Sequence, residues 1–152
     1  MAEVTLESVD ERLVTIVGAV VVSRSAVVGA PGEWRGRASL HPVVLLDGVV
    51  VREFARVHAG CQRETVIGER SLICSGAYVG HDVVVGEDCD LAPNCAIGGC
   101  ATIGDRVKIG MGAIVNPWVS IGDDARIGSG TVVNRDVPAG ETWVGVPARR
   151  IR

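Results

Sequence analysis

Aromatic side chains are nearly missing from this sequence. Phenylalanine, tryptophan and tyrosine make up 3% of its 152 residues, which argues against a compact core organised around large rings. A surplus of positive charge is missing too. Lys and Arg number 15 against 18 Asp and Glu, a formal net charge of −3, so nothing electrostatic points to nucleic acid, whose binding rests on basic patches. Long apolar runs are absent. The longest, Leu13 to Val22, has ten residues, about half of what a membrane-spanning helix needs. The stretch before it, MAEVTLESVDER, lacks the basic start of a signal peptide. Five cysteines, Cys61, Cys74, Cys89, Cys95 and Cys100, form no CxxC pair, and an odd number argues against a secreted disulfide framework. The expectation is a cytoplasmic protein with a single domain over residues 1–152.

What the chain does have is glycine, 20 of them, and a period. Ile67, Ile73, Val79, Val85, Leu91, Ile97, Ile103, Ile109, Val115, Ile121, Ile127 and Val133 are aliphatic residues at an unbroken spacing of six. Glycine or asparagine follows most of them. Two positions before each stands a residue no larger than valine, from Thr65 and Ser71 through Cys89 and Cys95 to Thr131. Neither a helix of period 3.6 nor an isolated strand of period 2 predicts such a register. A hexapeptide β-helix does. Each hexad is a short strand and a corner, and three hexads make an 18-residue triangular coil. The aliphatic fills the interior, and the small residue fits where faces converge. The position after the aliphatic is expected to need a backbone conformation that glycine takes freely and asparagine tolerates. Successive coils stack as parallel strands about 4.8 Å apart.

The regular coils span about 67–134. Irregular coils are expected over about 13–58, where Ile16, Val22, Val28, Trp34, Leu40 and Leu46 keep a spacing of six in another register and Val51 and Val57 continue after a one-residue slip. Val57 and Ile67 are ten residues apart, which predicts a loop over 59–64. Two prolines after Val133 predict that the closing segment, 135–152, leaves the prism and packs along it.

The Ile/Val-Gly hexads, the LHP of Leu40 to Pro42 and the ending VGVPARRIR resemble the left-handed β-helix acyltransferases over roughly 25–152. The left hand comes from that resemblance, since general topology favours right-handed crossovers. It also implies a homotrimer with active sites in clefts between prisms. Aliphatic outer residues such as Val84, Ile114 and Val132 would gain from lateral burial. A tighter likeness lies around Val79-Gly80-His81-Asp82, which is similar to the histidine region of the UDP-N-acetylglucosamine acyltransferases of lipid A synthesis and of the nucleotide-amino-sugar N-acetyltransferases. The resemblance implies that His81 is the general base and that Gly99, in AIGGC, offers its backbone N–H to an oxyanion. Asp82 is the candidate to hold the imidazole tautomer, provided the chain turns there.

The spacing agrees. His81 and Gly99 are 18 residues apart, one coil, and so stack on one edge. Imidazole suits a base working near neutral pH, and a fixed N–H suits a tetrahedral oxyanion. On the acceptor side the candidates are His58, Asn94 and Cys100, the last standing where the lipid A enzymes have a histidine. For coenzyme A they are Arg149 and Arg150, whose guanidinium groups suit phosphates, with Trp118 and Trp143 for the nucleotide or pantetheine arm. His41 reads as structural.

The expected function is acyl transfer from acetyl-coenzyme A or another acyl-coenzyme A to an amine or hydroxyl of a nucleotide sugar or similar small polar acceptor. An acyl carrier protein is the alternative donor, and no metal is expected. Two rivals share the fold. IGMGAIV, Ile109 to Val115, also occurs in γ-class carbonic anhydrases, which bind metal with three histidines. His58 and His81 could be two of them, but no histidine follows His81. A non-catalytic scaffold would explain the repeat without explaining why His81 and Gly99 stack.

Overall fold

The computed structural model describes residues 13–31 and 41–152; Trp34 and Leu40 lie outside the described residues. The hexads become two- to four-residue strands in three parallel sheets, the faces of a triangular prism. The first face runs Val14–Ile16, Val43–Leu45, Thr65–Ile67, Val84–Val85, Thr102–Ile103 and Ser120–Ile121. The third runs Val27–Ala30, Arg56–His58, Tyr78–Val79, Ala96–Ile97, Ile114–Val115 and Val132–Val133. The second holds eight strands, beginning at Val21–Val22 and ending in Thr142–Val144 and Arg149–Arg150. From Ile67 on, partners sit one coil apart, as Val79 with Ile97 and Ile97 with Val115. The aliphatic column fills the interior, each member from Ile67 to Val133 at most 3% exposed. The small column is buried beside it.

The N-terminal register differs from the expected one. Leu45 pairs with Ile67, Val51 with Ile73 and Val57 with Val79, so Leu45, not Leu46, belongs to the inward column, and no slip precedes Val51. Ile16, Val22 and Val28 do align with Leu45, Val51 and Val57. The closing segment also departs from expectation. Val137 bridges Ile121 on the first face, and Thr142–Val144 stacks in parallel on Arg126–Ile127. Only then does the chain reverse, with Arg149–Arg150 antiparallel to Trp143–Val144. The segment thus builds another rung before it folds back, because Val137 and Trp143 still supply inward apolar side chains.

The corners correct a further expectation. The backbone turns left-handed three positions after the aliphatic, at Arg70, Gly76, Asp82, Asp88, Asn94, Cys100, Arg106, Gly112, Trp118, Asp124 and Gly130, with φ from 54° to 70°. The glycines directly after the aliphatic have no such φ. They are needed for space. A Cβ on Gly68 would meet the Gly86 carbonyl and come within 2.7 Å of the Glu87 nitrogen, and one on Gly80 would lie 2.8 Å from the Gly99 nitrogen. The missing side chain lets the next coil close down. Gly68→Ala should therefore cost about 1–3 kcal/mol and lower the melting temperature by several degrees; an unchanged thermal unfolding curve would contradict the close-approach account.

Candidate active site

The edge between the third and first faces carries the stacked corners Gly80-His81-Asp82, Gly98-Gly99-Cys100 and Asn116-Pro117-Trp118, with the 59–64 loop below them. Asp82 has φ 60°. That left-handed turn brings two side chains that would point apart on a strand onto the same side. His81 Nδ1 lies 2.7 Å from Asp82 Oδ2. The other carboxylate oxygen, Oδ1, accepts the backbone N–H groups of Cys61, Gln62 and Arg63 at 3.0, 2.8 and 2.8 Å. The Asp82 N–H donates to Thr65 Oγ1 at 2.9 Å, and Arg63 Nε donates to the Asp82 carbonyl at 3.0 Å. The extra residues between Val57 and Ile67 therefore form a cradle closed around one buried carboxylate. Its base is pinned by paired backbone bonds between His41 and Gly60, 3.2 and 2.9 Å.

Burial pushes the Asp82 carboxyl up, but the N–H groups of Arg63 and Gln62, the His81 ring and the Cys61 N–H outweigh it and hold the group below its ordinary value of 3.8. An ionised Asp82 can only accept, so His81 Nδ1 carries the hydrogen, and in the neutral ring the lone pair is on Nε2. That nitrogen lies over Gly99, where a Cβ would come within 2.7 Å of it. Gly99 is thus glycine because the imidazole occupies the place of its side chain. Among the described residues the Gly99 N–H meets no backbone acceptor, while its carbonyl accepts from the Trp118 N–H at 3.1 Å.

The depressed carboxyl carries a pH prediction. A group whose folded pKa lies below its unfolded value stabilises the fold above the unfolded value, and loses that contribution as pH falls through the folded one. Amide protection at Cys61, Gln62 and Arg63 in hydrogen exchange should hold down to about pH 4 and fall below it, relative to amides of the strands. Loss of that protection already near neutral pH would contradict the cradle.

A cavity of about 430 Å³ opens beside the dyad, lined by Gln62, Arg63, Asp82, Cys100, Thr102 and Trp118. Trp118 is 59% exposed and holds a left-handed φ of 67°, an uncommon state for a bulky residue. The exposed indole lines the cavity at this left-handed corner. Cys100 reaches the cavity as a thiol, since burial and then the Asp82 charge push its pKa up, which disfavours a nucleophilic thiolate.

Of the residues singled out from sequence, the structure brings together His81, Asp82, Gly99, Cys100 and Trp118. It does not bring the others to them. Asn94 sits at a corner between the second and third faces, a different edge. His58 is 4% exposed, its Nδ1–H donating to the Pro31 carbonyl at 2.9 Å and its ring tilted against Tyr78. Trp143 is a core residue at 9% exposure, its Nε1 donating to Glu141, because its side chain closes the prism above Ile127. Arg149 and Arg150 are exposed on the returning strand, Arg150 Nε 3.3 Å from Glu141. Sequence reasoning missed Gln62, Arg63, Thr65 and Thr102. The loop length was visible, but nothing in its composition told that its amides fold onto Asp82.

One donor cluster of metal-binding type exists among the described residues: Cys61, His81 and Asp82, with ligand atoms within 4.8 Å of one another. His58 does not belong to this cluster; its Nδ1–H is taken by the Pro31 carbonyl.

A sequence model described as bacterial transferase hexapeptide (six repeats) matches residues 64–99 and 100–135. The regular coils thus carry the hexapeptide repeats that this family model describes. No curated protein matches its sequence. Among solved structures, UDP-N-acetylglucosamine O-acyltransferase from Moraxella catarrhalis RH4 superposes with a TM-score of 0.87 at 28% identity, over 90% of this chain and 55% of that one. A variant of perosamine N-acetyltransferase from Caulobacter crescentus with a histidine replaced by asparagine, in complex with CoA and GDP-perosamine, is 33% identical with a TM-score of 0.67, over 92% of this chain and 57% of that one. The chain spans little more than half the length of these two proteins. The hexapeptide prism is the left-handed parallel β-helix. None of its described segments is a helix long and apolar enough to cross a membrane.

Proposed function

We propose that this protein transfers an acyl group, acetyl in the first instance, from a coenzyme A thioester to an amine or hydroxyl of a nucleotide-linked sugar or a similar small polar acceptor. The observation that carries the proposal is the dyad. Asp82, clamped by three amides, accepts the His81 Nδ1 hydrogen at 2.7 Å and turns Nε2 towards Gly99. A scaffold has no use for a buried carboxylate held in one orientation for a neighbouring ring. Two similar proteins support the substrate classes by their names: one is a UDP-N-acetylglucosamine O-acyltransferase, and the other was crystallised with CoA and GDP-perosamine on a histidine variant.

In the proposed reaction the acceptor's amine or hydroxyl attacks the thioester carbonyl as His81 Nε2 takes its proton. Asp82 stabilises the imidazolium that forms. The Gly99 N–H faces the oxyanion of the tetrahedral intermediate. Collapse expels the coenzyme A thiolate, which takes the proton back from His81. The acceptor occupies the cavity beside Cys100, Thr102 and Trp118, with the Arg63 guanidinium the one cation among its lining residues. Arg149 and Arg150 meet the phosphates of coenzyme A, and a homotrimer completes the clefts by covering outer residues such as Ile114, 44% exposed.

Calorimetric titration with acetyl-coenzyme A tests the donor. Binding with micromolar affinity is expected, accompanied by a change in Trp118 fluorescence that Trp118→Phe removes. A folded protein that ignores acetyl-coenzyme A but accepts an acylated carrier protein would overturn the coenzyme A assignment. One that ignores both would leave the scaffold reading.

A further inference from the structure

The surroundings of Asp82 hold more donor atoms than proton transfer needs. Cys61 stands in the cradle on one side of the dyad, 6% exposed, and its sulfur belongs to the group of ligand atoms with His81 and Asp82 that lie within 4.8 Å of one another. Cys100 stands on the other side, one coil above, with Sγ 3.8 Å from Asp82 Oδ2. One thiol, one imidazole and one carboxylate converge on a single point, a second thiol reaches the carboxylate from the next coil, and Asp82 and Cys100 both open onto the cavity. Tetrahedral zinc takes sulfur at about 2.3 Å and nitrogen or oxygen at about 2.0–2.2 Å, which separates its ligands by roughly 3–4 Å. The Cys100–Asp82 separation of 3.8 Å already fits, the His81–Asp82 pair has to open from 2.7 Å, and Cys61 and Cys100 have to close on the imidazole.

We propose that the dyad doubles as a binding site for a soft divalent cation, zinc above all, held by Cys61, His81, Asp82 and Cys100, and that occupancy switches the base off. The cation enters between His81 Nδ1 and Asp82 Oδ2, where the shared hydrogen now lies. That hydrogen moves to Nε2, and the protons of the two thiols go to solvent, so each cation bound releases two protons. His81 then presents an N–H to the acceptor instead of a lone pair. The carboxylate keeps its cradle, because Oδ1 holds the three loop amides and only Oδ2 changes partner. The soft donor set selects thiophilic ions and gives magnesium and calcium, which prefer oxygen, no advantage. The effect on activity rests on the acyl-transfer proposal; binding of the cation does not.

Cobalt(II) titration of the purified protein tests binding directly. One equivalent should develop a near-ultraviolet thiolate-to-cobalt charge-transfer band with the intense visible bands of tetrahedral geometry, and zinc should displace it. Cys61→Ser, Cys100→Ser and His81→Gln should each weaken zinc at least tenfold, while Cys74→Ser, on another edge, leaves it unchanged. His81→Gln keeps both thiols and guards against a cysteine variant that fails to fold. Absence of a stoichiometric thiolate band in wild type, or its survival with both Cys61 and Cys100 replaced, overturns the site. If the site binds and the protein has acyltransferase activity, zinc should slow turnover in proportion to occupancy. Zinc binding by a protein whose metal-free form shows no transferase activity would sink the functional proposal and leave the metal site standing.

Discussion

Asp82→Asn is expected to lower acyl transfer by about 10³–10⁴-fold while fold and donor affinity stay close to wild type. The reason is one of donors and acceptors. Three N–H groups converge on Asp82 Oδ1, so only an oxygen can stand there. An asparagine must give its carbonyl to the cradle and turn its NH₂ to His81. Nδ1 then has to accept, the hydrogen shifts to Nε2, and the nitrogen over Gly99 can no longer take a proton. A wrong tautomer in a Ser-His-Asp site costs about 10⁴ in turnover, which sets the scale. Steady-state kinetics with hydrogen exchange on the loop separates outcomes: turnover should collapse with loop protection retained. Activity within tenfold of wild type would mean that Asp82 serves the fold alone.

His81→Gln should remove the base itself, a loss of roughly 10²–10⁴-fold, with acetyl-coenzyme A still bound. The glutamine amide can donate to Asp82 Oδ2 in place of Nδ1–H, so the cradle survives and stability changes little. The loss should fall on kcat rather than on KM, since the proton moves only as the acceptor attacks. A variant that loses donor binding and keeps turnover at saturation would assign His81 to recognition.

The repeat was legible because its interior is narrow. Every sixth residue from Ile67 to Val133 must be aliphatic to fill it, and the structure buries all of them. The corner rule is harder to read, since glycine carries two meanings. It permits a left-handed backbone, and it also clears space; at Gly68 and Gly80 the second applies. The left-handed column lies two residues further on, and its sign was present: from Arg70 to Gly130 it contains no β-branched residue. The N-terminal register misled because Leu45 and Leu46 are adjacent and equally apolar, and only pairing with Ile67 distinguishes them. His81 and Gly99 were legible through a spacing of one coil. The cradle was not, because it is made of backbone N–H groups, which every sequence has and no sequence displays. Trp143 misled for the opposite reason: an aromatic near the end of the chain looked like a ligand contact and is the stopper of the core.

The central claim is that this edge of the prism runs acyl transfer, and thiol release from acetyl-coenzyme A tests it most directly. With a panel of nucleotide-linked amino sugars and their hydroxyl counterparts as acceptors, wild type should release thiol in step with acylated product for at least one acceptor, and His81→Gln should not. Thiol release that never depends on an acceptor, or that persists unchanged in His81→Gln, would contradict the account.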